Sequence, residues 1–181
     1  MNIFYIEKSP GLAARSMVDK HVVKMILESA QLLSTAHRIL DGIQGNTITE
    51  LGRNKKIWSL PDERELVMYQ ATHVNHPSAI WARETSGNYN WLWYHLKELC
   101  KEYTHRYGRV HKVEDSGLLK ALFKFPNNIT KEPQTTMPSA MADEYKISDD
   151  PLTNYRNYYR IGKSSMHKWT NRQQPEWINV E

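Results

Sequence analysis

His21, Lys24 and Glu28 stand three and four residues apart, and with Gln31 and Thr35 they fall in one narrow sector of a helix turning about 100° per residue. An imidazole, an ammonium and a carboxylate within mutual reach form a set suited to moving a proton. Val22, Met25, Ile26, Ala30, Leu32, Leu33, Ala36 and Leu40 take most of the remaining circumference, so the helix is expected to be buried on several sides. Its one polar strip then faces either water or a pocket. A second group is His73-Val74-Asn75-His76-Pro77, where two imidazoles precede a helix start. Free backbone N–H groups there favour a phosphate or oxyanion, and the same side chains are equally suited to capping the helix. Arg83, Asn88 and Asn90 follow and extend that polar set. Two histidines with no Cys cluster or His-Glu-x-x-His helix are a poor ligand set, so no metal is expected. A third group lies near the carboxyl end: Arg156, Arg160 and Lys163 recur at spacings of four and three, Tyr155, Tyr158 and Tyr159 flank them, and Trp169, Arg172 and Trp177 continue the composition. Cations neutralise phosphates and flat rings stack on bases, whereas a packed face would turn the same rings inward.

The elements that must position these groups read as helices. Met1 to Ile6 is a short apolar lead-in, compatible with extended backbone, closed by the turn signal Ser9-Pro10-Gly11. A long helix follows from about Ala13 to Leu40, with Gly42 as a left-handed cap, and then a polar connection from Gln44 to Arg53. Helices are further expected from Pro61 to about Thr72, from Pro77 through Glu84, and from Tyr89 to Tyr107 with Gly108 as its cap. A short helix spans Asp115 to Phe123, residues 126–138 with their three prolines are irregular, and Asp150-Pro151 opens a last helix toward Ile161. Trp91, Trp93 and Tyr94 are assigned to the core. Few windows alternate with period two, so the expectation is an all-α fold, a single helical domain over residues 1–181 with a short extended amino-terminal segment.

The chain of 181 residues is long enough to bury a core without staples, and no repeat or linker marks a second domain. One cysteine, Cys100, cannot form an intramolecular disulfide and lies in an apolar run, which suggests a reducing compartment. No apolar stretch approaches the roughly 20 residues of a spanning helix, and the start has no basic leader, so a cytoplasmic location away from membranes is expected. Lys plus Arg exceed Asp plus Glu by 24 − 20 = 4, an excess too small to decide by itself, and a polyanionic partner is favoured by placement, since Arg156, Arg160, Lys163, His167, Lys168 and Arg172 are interleaved with aromatics in the last third of the chain.

Asp19-Lys20-His21 followed by Glu28, then Pro77-Ser78-Ala79-Ile80 running into a long aromatic and charged helix, then Tyr158-Tyr159-Arg160-Ile161-Gly162-Lys163, together resemble the phage pyrimidine dimer DNA glycosylases. The whole chain also resembles a group of small phage proteins. The resemblance implies that an amino-terminal amine attacks the sugar C1′ of a damaged nucleotide and forms a Schiff base, with Glu28 as the acid/base and His21 as its neighbour. An α-amine ordinarily has a pKa of about 8, so a usable neutral fraction exists near pH 7. The Met1 amine, the Asn2 amine after processing, and Lys24 all qualify as nucleophile; the chain departs from the family pattern here, since Asn2 is bulky for a residue that follows a removed methionine and the stretch before Asp19 is longer. In this reading DNA, as a duplex, is the partner, the phosphate-binding set is His73, Asn75, His76, Arg83, Asn88, Arg156, Tyr159, Arg160, Lys163 and Arg172, and no cofactor is required. The function implied is base excision, with strand-cleaving lyase chemistry. The rivals are a nucleotide- or signal-molecule-binding protein without turnover and an enzyme of phage DNA base modification.

Overall fold

The computed structural model describes residues 1–179. Helix α1 (Pro10–Ser16) starts with Ser9 as N-cap and Pro10 in its first turn, so the Ser-Pro-Gly signal opens a helix where a turn was expected. Helix α2 (Asp19–Asp41) is separate from it, since Met17 and Val18 are extended and fully buried. The expected single helix breaks here because the Val18 N–H donates to the Tyr159 hydroxyl at 3.2 Å and the Asp19 N–H to the Lys168 carbonyl at 2.9 Å. Both partners come from the far end of the chain, where local periodicity cannot register them.

Gly42 follows α2 in extended backbone and not in the left-handed region. A Cβ at this position would collide with the Arg38 carbonyl oxygen, so close approach is what requires glycine. The chain then forms an antiparallel hairpin of β1 (Ile43–Ile48) and β2 (Asn54–Ser59), which corrects the all-α expectation: the fold is mostly helical with one small two-stranded sheet. Residues 61–72, expected as a helix, hold only a single turn, α3 (Arg64–Val67). The fully buried Arg38 guanidinium accounts for this, drawing the carbonyls of Trp58, Met68 and Tyr69 and the Glu65 carboxylate onto itself at 2.6–2.9 Å. Satisfying one buried cation outweighs local helix preference.

Helix α4 (Pro77–Glu84) has the expected bounds, and α5 (Ser86–Tyr107) ends at Gly108 in the left-handed conformation, φ 64°. Helix α5 packs against α1, α2 and α4, burying Trp91, Trp93, Leu96, Leu99 and Cys100, while Tyr94 stays exposed against expectation. The expected helix at 115–123 is two single turns, α6 (Lys112–Asp115) and α7 (Leu118–Ala121), parted by Gly117 at φ 79°. Helix α8 (Pro151–Gly162) begins as expected at Asp150, whose carboxylate accepts from the Leu152 and Thr153 N–H groups. Among the described residues no helix is long and apolar enough to cross a membrane.

Three buried histidines give the fold a defined response to acid. Burial, with help from nearby Lys163 and Lys24, depresses His21 to about 3; burial, then Arg64, takes His37 to about 4; burial takes His95 to about 4. Each is neutral when folded and binds a proton near pH 6.5 once unfolded. Their contribution to stability is therefore complete above pH 6.5 and lost as pH falls toward 4. Thermal melts should show Tm declining already between pH 6.5 and 5, where the carboxylates are still ionised. A flat Tm over that interval would contradict the burial of neutral imidazoles.

Candidate active site

The first residues of the chain fold back over the amino-terminal half of α2. Asn2 is the anchor, since its side-chain oxygen accepts from the N–H groups of Ile3 and Phe4 and from the Tyr155 hydroxyl, while its amide nitrogen donates to the Ala140 carbonyl. Phe4, a non-glycine residue at φ 56°, turns the backbone and lays its ring on His21 at 4.2 Å between centroids. Such strained backbone persists only where surrounding contacts over-determine it. The consequence is that the backbone nitrogen of Asn2 donates to Glu28 Oε2 at 2.9 Å.

Glu28 is 8% exposed, and Lys24 Nζ lies 3.2 Å from its other oxygen while remaining largely in solvent. A cleft of about 350 Å³ opens beside this pair, lined by Met1, Asn2, Phe4, Lys20, His21, Lys24, Met25 and Glu28 from one side and by Tyr158, Lys163 and Met166 from the other. His21, Lys24 and Glu28 of the polar strip thus border a pocket, with the Lys24 ammonium at its solvent edge. At its far end, the buried Thr35 hydroxyl is bonded to the Thr72 backbone.

His21 has a fixed role in this cleft. The Tyr159 hydroxyl accepts from the Val18 N–H at 3.2 Å and is hydrogen-bonded to His21 Nδ1 at 2.7 Å. A Tyr159 hydroxyl that donates across this contact leaves the imidazole proton on Nε2. Held neutral by burial, His21 is a hydrogen-bond donor and not a cation. His76, whose Nδ1 accepts the Ser78 N–H as the cap of α4, is held below the ordinary imidazole range by burial, by the positive chain terminus and by His73, with Glu28 opposing. The capping alternative holds for His76.

The remaining candidates scatter. His73 and Asn75 are exposed, and His73 is bonded through Nδ1 to the Thr72 hydroxyl. Arg83 donates to the Val74 carbonyl and secures that loop. Asn88 is fully buried among Trp81, Glu84 and Thr135, and Tyr159 is fully buried behind His21, so neither can touch nucleic acid in this fold. Arg156 is paired with Glu7 and the Ile6 carbonyl under the Trp177 ring, and Arg172 with Glu102. Arg160 is half-buried and partnered. Of the basic strip on α8 and just beyond, only Lys163 lines the cleft, its ammonium 4.6 Å from the Tyr158 ring centre. Lys20, Phe4 and Tyr158 are lining residues not singled out as site residues from the sequence, although Lys20 sits inside the Asp-Lys-His string. Among the described residues no three His, Cys, Asp or Glu side chains converge as metal ligands would.

The cleft joins a backbone nitrogen, a buried carboxylate, a neutral imidazole donor and three lysines, with rings of Phe4 and Tyr158 in its walls. Such a set can hold an anionic, flat-ringed ligand and move a proton at its centre. A family model described as pyrimidine dimer DNA glycosylase matches residues 1–115. No curated protein and no solved structure matches the chain. The matched region supplies Asn2, His21, Lys24 and Glu28, whereas Tyr158, Lys163 and Met166 complete the cleft from beyond it.

Proposed function

We propose, on the premise that the chain belongs to the pyrimidine dimer DNA glycosylase family, that it releases a damaged pyrimidine from duplex DNA and that the α-amine of Asn2, freed by loss of Met1, is its nucleophile. The observation that carries this reading is the 2.9 Å contact between the Asn2 nitrogen and Glu28. With Met1 present that nitrogen is an amide and not nucleophilic. With Met1 removed it is a primary amine already held by a carboxylate, the arrangement an activated amine requires.

A cleft of about 350 Å³ admits a nucleotide but not a duplex, so the reacting nucleotide must leave the stack. The amine nitrogen forms a bond to C1′, the C1′–N glycosidic bond breaks, and the base leaves with its electron pair and takes up a proton. Glu28 accepts a proton from the attacking amine and returns one as the sugar ring opens to the imine. The His21 Nε2–H donates to a sugar or base oxygen, and Lys20, Lys24 and Lys163 face the flanking phosphates. Elimination of the 3′-phosphate from that imine is the lyase step.

Borohydride reduction in the presence of a duplex containing an abasic site should yield a stable protein–DNA adduct that maps, after digestion, to Asn2. Lys24 is the competing amine, being 3.2 Å from the same carboxylate. An adduct on Met1 or Lys24, or one that survives blocking of the terminal amine, would overturn the assignment to Asn2, and no adduct at all would overturn the amine mechanism together with its lyase step.

A further inference from the structure

The hairpin β1–β2 takes no part in the cleft, and almost none of it is buried. Both faces are wet along nearly the whole ribbon, and Ile48 and Leu51 at its tip are 72% and 81% exposed. A two-stranded ribbon with no packed face adds little to folding, so its composition is free to serve another purpose. Arg53, Lys55 and Lys56 against the single Glu50 give residues 43–59 a net charge of 3 − 1 = +2, half of the chain's excess of +4. All three cations are exposed, and none forms an ion pair among the described residues.

The register sorts the side chains. Gln44 lies opposite Trp58, Asn46 opposite Lys56 and Ile48 opposite Asn54, so Gln44, Asn46, Asn54 and Lys56 share one face. Amide and ammonium groups are those that pair with base edges, and a two-stranded antiparallel ribbon has the width of the DNA major groove. The root is rigidly placed, because Arg38 in α2 donates to the Trp58 carbonyl at 2.7 Å. From Lys24 to Asp41, α2 carries the chain about 26 Å away from the cleft at ~1.5 Å per residue.

From these observations we infer that the hairpin is a second DNA-contacting element, a basic ribbon that enters the major groove of undamaged duplex beyond the reacting nucleotide. At ~3.4 Å per base pair its root lies roughly 8 base pairs from the cleft. The inference rests on the reading of the cleft as a DNA-acting site and extends it to the flanking duplex. Lysines on both faces also discourage edge pairing with a second copy of the chain, which leaves the polyanion as the occupant that the charge selects.

The test is fluorescence anisotropy with duplexes of about 12 and about 30 base pairs, one and three helical turns, each with a central unreactive abasic analogue, across 50–200 mM salt. The wild-type protein should bind the longer duplex about tenfold more tightly or better, with a steeper salt dependence. Arg53→Ala/Lys55→Ala/Lys56→Ala should erase that preference and lower the slope by about 2–3, at ~0.9 per phosphate contact, with no change on the short duplex or in the trapped adduct. Lys55→Arg/Lys56→Arg should retain the wild-type slope. Equal affinity and slope of the wild type and the triple variant on the long duplex would overturn the inference, as would a wild-type dimer that the triple variant abolishes. A wild type that gives no adduct yet shows hairpin-dependent binding would refute the catalytic reading and leave this one standing.

Discussion

Glu28→Gln is expected to slow cleavage of the glycosidic bond in ultraviolet-irradiated duplex by about 10²- to 10⁴-fold, the range that a positioned proton-transfer group contributes. Glutamine keeps the shape of the side chain, and its carbonyl oxygen can still accept from the Asn2 nitrogen, which Glu28 now does at 2.9 Å. What is lost is the ability to take a proton. The ion pair with Lys24 disappears as well, but Lys24 is mostly in solvent, so this costs less than about 1 kcal/mol. Binding of DNA should accordingly stay within about threefold of wild type, because the lost group acts on the transition state and not on phosphates. Single-turnover glycosidic-bond cleavage, read as alkali-labile strand breaks, and equilibrium binding, measured on the same preparation, separate these two quantities. An unchanged rate would exclude Glu28 from the chemistry, and a loss confined to affinity would make it a binding residue.

The helical stripe His21-Lys24-Glu28 was legible in the sequence because its three residues lie on one element, where spacing alone fixes their common direction. So were the bounds of α4, the Gly108 cap and the Asp150-Pro151 start, each set by a residue type with one dominant local physical effect. The break at Val18 was not, since it depends on a tyrosine hydroxyl 141 residues away. Nor was the shortness of α3, which follows from the hydrogen-bonding demand of buried Arg38. The hairpin escaped for a different reason: with both faces wet it carries no hydrophobic alternation, the pattern by which a strand is recognised. In the carboxyl-terminal segment the composition pointed to phosphate contacts, yet Arg156 and Arg172 spend their charge on Glu7 and Glu102. A basic residue spacing does not reveal which cations already have internal partners.

That internal pairing leads to a large stability effect expected of a single substitution outside the cleft. Glu102, 3% exposed, accepts from Arg106 at 2.7 Å and from Arg172 at 2.9 Å; burial alone would raise its pKa, but these hydrogen bonds hold it below the ordinary carboxylate range. Arg106, also buried, reaches on to Asp19 at 2.9 Å, and Asp19 in turn takes the N–H and hydroxyl of Thr170. This network fastens residues 170–172 to the start of α2, and the Trp169 indole adds a bond to the Ser16 carbonyl. Glu102→Ala leaves Arg106 with one carboxylate where it had two and releases Arg172. Breaking a buried pair costs about 3–5 kcal/mol, and because Asp19 still faces Arg106 the lower end, about 3 kcal/mol, applies. For a chain of this size that lowers Tm by about 6–12 °C. Arg172→Ala removes only a half-exposed partner and should cost less. If this network is what holds Lys163 and Met166 against α2, Glu102→Ala should also expose residues 163–179 to protease well below its own Tm and slow glycosidic-bond cleavage in parallel. Loss of stability without earlier cleavage of that segment would mean the network steadies α5 alone, with the carboxyl-terminal side of the cleft held by the Tyr159–His21 contact instead.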